Sequence, residues 1–148
     1  MACMAHPFVD PLEATASLAI EAIRDDLEVF DDWMDRYQFI MELGRKLPPF
    51  PKEWMDDGHR VPGCQSQVWL QPSMQDGRLF FAGASDAAIV SGLVALLLRV
   101  YSGRTPDEIA ATDPLFLKEL GLIDALSSNR GNGVASMAVA IRRAAAGS

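Results

Sequence analysis

The sequence is poor in the side chains that bind metals and cross-link chains. Its 148 residues include only two cysteines and two histidines. Two cysteines cannot form a disulfide framework, a four-thiolate zinc site or an iron–sulfur site within one chain. Cys3, His6, His59 and Cys64 also lack the spacing of a zinc site. No bound metal is therefore predicted.

Basic residues are also few. There are 13 Lys and Arg against 20 Asp and Glu, which gives a net charge of −7. Nucleic acids and anionic membranes bind basic surfaces, so neither is an expected partner. The most apolar stretch, residues 87–100, is interrupted by Ser91, Gly92 and Arg99 and is too short to span a membrane. Because no signal peptide is apparent either, a cytoplasmic location is expected.

What the sequence does have is enough apolar material for one core. Hydrophobic residues make up 49% of a chain of about one domain's length. A single domain over residues 1–148 is predicted, with residues 1–11 as a frayed tail. The acidity is uneven, because residues 10–57 hold 13 acidic and 5 basic side chains.

Helical and strand-like patterns alternate along the chain. Apolar spacing predicts helices, and a Gln-Asp-Gly turn between two apolar runs predicts a hairpin. Ser85 or Asp86 is the expected N-cap of a central, nearly all-apolar helix. The fold class is therefore α+β, a small antiparallel sheet packed against several helices. The predicted helices are 12–28, 33–47, 87–101, one from 105, 114–120, 122–126 and 134–146; the predicted strands are 65–71 and 78–82, and the predicted loops are 52–62 and 127–133.

One position suggests chemistry. In Val61-Pro62-Gly63-Cys64, Pro62 and Gly63 favour a type II turn, which places Cys64 at the exit of the turn. A loop on a rigid scaffold is a common place for a reactive group, and thiol chemistry needs an accessible thiolate. The alternative is that Cys64 is an inert, buried, small side chain.

Other candidates admit two interpretations each. His59 is either a base for Cys64 or a solvated loop residue. Asp86 is either a partner contact or a helix cap, and Arg130 is either a guanidinium contact or a solvated side chain. The residues alone leave these alternatives open.

Three stretches resemble the SufE/CsdE family of sulfur-acceptor proteins. They are Gly63-Cys-Gln-Ser-Gln-Val-Trp69, Gly83-Ala-Ser-Asp-Ala-Ala-Ile-Val-Ser-Gly-Leu93 and Tyr37-Gln-Phe-Ile-Met-Glu-Leu-Gly-Arg-Lys-Leu-Pro48. The segment Ser-Asn-Arg130-Gly-Asn-Gly-Val-Ala-Ser-Met is similar as well, so the resemblance covers about residues 33–146.

The resemblance implies an accessory of iron–sulfur cluster assembly. A SufS/CsdA-like, pyridoxal-phosphate-dependent cysteine desulfurase would form a persulfide, and Cys64 would accept its sulfur. The chain would stimulate the desulfurase and pass sulfur to a downstream scaffold complex. It would need no cofactor of its own and have no independent turnover. The fold would be similar to that of the U-type iron–sulfur scaffolds, which have several ligand cysteines where this chain has only Cys64.

The family pattern also implies contacts for the partner. Gln65, Asp86 and Arg130 would lie near the acceptor loop, and Pro62 and Gly63 would set its shape. Two other functions remain open: a cysteine hydrolase that uses Cys64 and His59, and a non-catalytic interaction domain.

Overall fold

The computed structural model describes residues 7–61, 67–122 and 128–147, and for residues 128–134 it describes the backbone only. Within these ranges, six α-helices accompany a two-stranded antiparallel sheet, so the predicted α+β class is confirmed. None of the described helices is long and apolar enough to cross a membrane. In chain order the elements are α1 (Ala16–Glu28), α2 (Trp33–Arg45), a short 3-10 turn (Lys52–Trp54), β1 (Val68–Gln75), β2 (Arg78–Ser85), α3 (Ala88–Tyr101), α4 (Pro106–Ala111), α5 (Phe116–Glu119) and α6 (Ser128–Ala146).

The hairpin forms where the turn signal predicts it. β1 and β2 pair from Val68 opposite Ser85 to Gln75 opposite Arg78. Between the strands, Asp76 and Gly77 have φ values of 53° and 80°. A type I′ turn requires positive φ at both central positions, and aspartate followed by glycine is well suited to it. The hairpin is therefore determined largely by two local residues.

Helix α3 is the centre of the core, as its apolar sequence predicts. Nine of its residues are buried, and it packs against β2, α1 and α2. At the crossing with α2, Gly92 lies directly on the Ile40 backbone, and a Cβ on Gly44 would lie 2.6 Å from the Gly92 nitrogen. Two glycines thus allow the helix backbones to approach closely, which no larger residue would permit.

The first two helices begin at capping residues. The Thr15 hydroxyl accepts from the Leu18 nitrogen at 3.1 Å, so α1 begins after it rather than at Leu12. Leu12 itself is 76% exposed. The Asp32 carboxylate accepts from the Asp35 nitrogen at 2.9 Å and caps α2, which begins at Trp33.

The chain before α1 is held against the core. Residues 8–11 fall within the predicted frayed tail, yet the Val9 nitrogen donates to the Phe81 carbonyl at 2.9 Å. The Ser102 hydroxyl donates to the Val9 carbonyl at 2.6 Å and accepts from the Phe81 nitrogen at 2.9 Å. Both backbone groups of Val9 are therefore satisfied by the core.

Arg104 is a buried residue that no local pattern indicated. The whole residue is 1% exposed. Its guanidinium donates to the carbonyls of Val100, Glu13 and Arg99. Burial lowers the pKa of Arg104 from its usual value. These bonds join the end of α3 to the segment before α1.

The prediction of a loop over residues 127–133 is wrong from residue 128 onward. Helix α6 runs from Ser128 to Ala146. Met137, Ala138, Ile141 and Ala145 are buried on one face. Tertiary packing of that face stabilises the helix more than local propensity does, which is why the Gly- and Asn-rich start misled the prediction. The predicted helix at 122–126 lies, after Leu122, outside the described residues.

Tyr101 gives the fold a pH-dependent term. Its hydroxyl donates to the Thr112 carbonyl at 2.9 Å, and burial raises the pKa of Tyr101 to about 12. The folded state thus disfavours the phenolate, so stability is intact below pH 10 and is lost as the pH rises from 10 towards 12.

We expect Tyr101→Phe to cost about 1 kcal/mol at pH 8, because the hydrogen bond is lost. At pH 11 the difference should nearly vanish, because only the wild type loses about 1 kcal/mol to ionisation of the unfolded chain. Urea unfolding at both pH values measures this. An equal difference in unfolding free energy at both pH values would contradict the raised pKa of Tyr101.

Candidate functional site

Two backbone hydrogen bonds hold the chain just before the predicted Pro-Gly-Cys turn. The Val61 nitrogen donates to the Val68 carbonyl at 2.8 Å, and the Leu70 nitrogen donates to the His59 carbonyl at 2.9 Å. Arg60 also forms an isolated antiparallel bridge with Trp69. Part of the predicted loop at 52–62 therefore lies alongside the start of β1.

A reciprocal pair of bonds holds the chain just after the turn. The Gln67 nitrogen donates to the Asp86 carboxylate at 3.0 Å, and the Asp86 nitrogen donates to the Gln67 carbonyl at 3.3 Å. Asp86 follows β2 directly, so the hairpin register brings it beside Gln67 although 19 residues separate them.

Of the two interpretations of Asp86, a partner contact or a helix cap, the second is therefore wrong. Helix α3 begins at Ala88, and its N-cap Ala87 makes no capping bond through its side chain. Ser85 takes part instead: its hydroxyl accepts from the Ala87 nitrogen at 3.3 Å, and its carbonyl accepts from the Ser91 hydroxyl at 3.2 Å. The Asp86 carboxylate is thus available to hold Gln67.

The structure describes few of the other predicted site residues. Pro62, Gly63, Cys64 and Gln65 lie outside the described residues, as do Cys3 and His6. Arg130 lies in α6 rather than in the predicted loop, and its side chain is outside the described part of the chain.

A small aromatic cluster includes His59 and Trp69, which belong to the two paired stretches before the predicted turn and at the start of β1. Phe50, Trp69 and Ala82 form its buried part. Trp54 packs against it with its ring edge-on to Phe50, the centroids being 5.7 Å apart. The His59 ring stacks on Trp54 at 6.1 Å with an interplanar angle of 21°. The cluster gives the segment before the turn a rigid apolar support.

His59 is engaged rather than solvated. Its Nδ1 lies 2.7 Å from the Asp56 carboxylate, and its side chain is 25% exposed. The hydrogen bond from His59 lowers the pKa of Asp56. A carboxylate that orients an imidazole also occurs beside nucleophilic cysteines. The position of Cys64 relative to this pair lies outside the described residues. The sequence indicated His59 but not its partner Asp56.

Among residues 7–61, 67–122 and 128–147, no group of three His, Cys, Asp or Glu side chains could hold a metal ion.

We expect Asp86→Ala to release the chain after the turn. The Gln67 amide should exchange with solvent faster, and stability should fall by about 1 kcal/mol, because one side-chain acceptor is lost. Asp86→Asn, which keeps an acceptor oxygen, is the matched control. Hydrogen exchange at Gln67 measures the effect, and an unchanged rate in Asp86→Ala would show that the bond does not hold this segment.

Fold and site together define a small α+β domain in which the residues before and after the Cys64 segment are hydrogen-bonded, Val61 to Val68 and Gln67 to Asp86. A protein family described as an Fe-S metabolism associated domain, SufE, matches residues 21–145. The chain belongs to the SufE family.

Individual relatives agree with this assignment. An uncharacterised SufE-like protein of Rhizobium meliloti is 42% identical over 134 residues, which cover 87% of this chain and 96% of that protein. The sulfur acceptor protein CsdE of Escherichia coli is 35% identical over 138 residues, covering 92% and 90%. The solution structure of a hypothetical protein from Thermus thermophilus superimposes with a TM-score of 0.69 at 21% identity, covering 90% and 96%, and shows the same fold.

Proposed function

We propose that this protein is a sulfur acceptor and carrier for iron–sulfur cluster assembly, with Cys64 as the acceptor. Membership of a family associated with Fe-S metabolism and similarity to the sulfur acceptor CsdE support the class. The donor is a pyridoxal-phosphate-dependent cysteine desulfurase of the SufS/CsdA type. The receiver is a downstream cluster-scaffold complex, and the setting is the cytoplasm.

The transfer is a thiol–disulfide type of displacement. The Cys64 thiolate attacks the outer sulfur of the desulfurase persulfide, and a new S–S bond forms on Cys64 as the donor's S–S bond breaks. The donor cysteine leaves as a thiolate, and no net oxidation or reduction occurs. Freeing that cysteine allows the desulfurase to turn over again, which accounts for stimulation. This chain needs no cofactor of its own, because the pyridoxal phosphate belongs to the donor.

The observation that supports this role most is the anchoring of the chain on both sides of Cys64. Val61 is bonded to Val68, and Gln67 is bonded to Asp86. Cys64 is three positions along the chain from Val61 and three from Gln67, so chain length alone keeps it within about 11 Å of both. A carrier needs its sulfur to be both locally restrained and accessible to two partners in turn.

The desulfurase contact is proposed to surround this segment. Two cysteines must approach within bonding distance during the transfer, so the interface has to include the residues next to Cys64. Asp86 is exposed beside the anchored end. Gln65 and Arg130 are the further proposed contacts, and Pro62 and Gly63 are proposed to set the shape of the turn.

A second candidate function is a cysteine hydrolase. The observation that favours it is the Asp56–His59 pair, whose 2.7 Å contact would orient an imidazole as a general base. In that case Cys64 would attack an ester or amide carbonyl rather than a sulfane sulfur.

One experiment separates the two functions. The protein is assayed alone against activated esters and, separately, with a SufS-type desulfurase and cysteine. A sulfur carrier increases sulfide or alanine production by the desulfurase and does not turn over the ester. Asp56→Asn is the matched variant, because it should abolish ester turnover by a hydrolase and leave sulfur acceptance nearly unchanged. Ester turnover that is lost in Asp56→Asn, with no effect on the desulfurase, would contradict the proposal.

A further inference from the structure

The end of α1 and the first turn of α2 expose one large apolar side chain each. Val29 is 74% exposed and Met34 is 67% exposed. Their chain neighbours Phe30 and Asp35 line a groove of about 540 Å³. Inside it the rings of Phe30 and Phe39 lie 5.4 Å apart. We call Val29, Met34 and this groove the α1–α2 surface.

This surface is held in place by its own hydrogen bonds. The Arg36 Nε donates to the carbonyls of Leu27 and Phe30 at 3.1 and 3.0 Å. The Asp32 carboxylate caps α2 through the Asp35 nitrogen. The exposed apolar side chains therefore project from an ordered turn. Binding a partner would cost little free energy for ordering this turn.

Carboxylates are frequent in the chain that carries these apolar side chains, and the one basic residue that lines the groove, Arg45, is paired with Glu42. Residues 25–35 contain six Asp and Glu and no Lys or Arg. Among the described residues, Asp26 is paired with Arg99 at 3.2 Å, whereas no salt bridge there involves Asp25, Glu28 or Asp31. An apolar centre within a charged rim is the usual anatomy of a protein–protein interface.

We infer that the α1–α2 surface binds a basic segment of another protein. An apolar side chain of that segment would lie in the groove, against the contacting rings of Phe30 and Phe39, and its Lys or Arg residues would face the carboxylates. The charge argues against a second copy of this chain as the occupant, because two such surfaces would repel each other. The inference does not depend on the chemistry of Cys64.

The test uses a synthetic helical peptide of Leu and Lys with one apolar face. Amide shifts of the full-length protein should change on titration, chiefly in residues 28–45. Affinity should fall about tenfold in Val29→Ser/Met34→Ser, because apolar burial is lost. Asp31→Asn/Asp35→Asn should also weaken binding, and should reduce its dependence on salt between about 50 and 300 mM.

Matched controls separate this surface from general attraction to an acidic protein. Met74→Ser/Leu115→Ser removes apolar side chains that are 50% and 52% exposed elsewhere. Asp107→Asn/Glu119→Gln removes two exposed carboxylates elsewhere. If these variants weakened binding as much as the first pair, the proposal would be overturned. A concentration-dependent dimer in sedimentation that Val29→Ser/Met34→Ser dissociates would overturn it too, by assigning the surface to self-association.

Discussion

Cys64→Ser is expected to abolish sulfur acceptance while the domain stays folded. A serine hydroxyl has nearly the same size as the thiol but is not a comparable nucleophile towards a sulfane sulfur. The bonds that hold both ends of the segment, from Val61 to Val68 and from Gln67 to Asp86, do not involve the thiol. Transfer of labelled sulfur from a desulfurase should therefore fall to background, and the thermal midpoint should move little.

Cys3→Ser is the matched control, because it removes the other thiol of the chain. We expect full sulfur acceptance and full stimulation of the desulfurase in this variant. Loss of acceptance in Cys3→Ser with retention in Cys64→Ser would show that the acceptor is Cys3 and contradict the assignment. Full stimulation by Cys64→Ser would instead indicate a non-catalytic interaction domain.

Gly92→Ala is expected to give a large loss of stability. Its Cβ would overlap the carbonyl oxygen of Ile40, which is backbone and cannot rotate away. Because the clash is with backbone, separating α2 from α3 should cost about 3 kcal/mol, the upper end of what overpacking usually costs. This outweighs the gain of about 1 kcal/mol that alanine brings to a helix interior. Because α3 begins next to Asp86, Gln67 exchange should increase as well.

Gly58→Ala is the comparison variant. A Cβ there would meet only the Asp56 carboxylate, at 3.4 Å. Denaturant unfolding of the two variants should separate them by about 1 kcal/mol or more. If Gly92→Ala were as stable as Gly58→Ala, the close crossing of α2 and α3 would not determine how these helices pack.

Local signals explain which parts of the fold could be predicted. Asp32 at the start of α2, Pro106 in the first turn of α4 and Asp76-Gly77 in the hairpin each act through neighbouring atoms, so the sequence is enough to locate them. Helix α6 depends on burial of a face formed with distant elements, so its first turns did not follow from composition.

The candidate site shows the same division. Residue types alone predict a turn at Pro62-Gly63-Cys64, which lies outside the described residues. The bond between Asp86 and Gln67 depends on strand register across 19 residues. No periodicity predicts such a contact. The same holds for Arg104, which bonds both to nearby Val100 and to distant Glu13. Contacts of this kind can be identified only in the folded structure.

The central claim is that Cys64 carries sulfur as a persulfide. The most direct measurement is the intact mass of the wild-type protein after incubation with a SufS-type desulfurase and cysteine, followed by peptide mapping. The account predicts a gain of about 32 Da, one sulfur atom, on the peptide that contains Cys64 and none on the peptide that contains Cys3. An unchanged mass with an active desulfurase, or the gain on Cys3 alone, would contradict it.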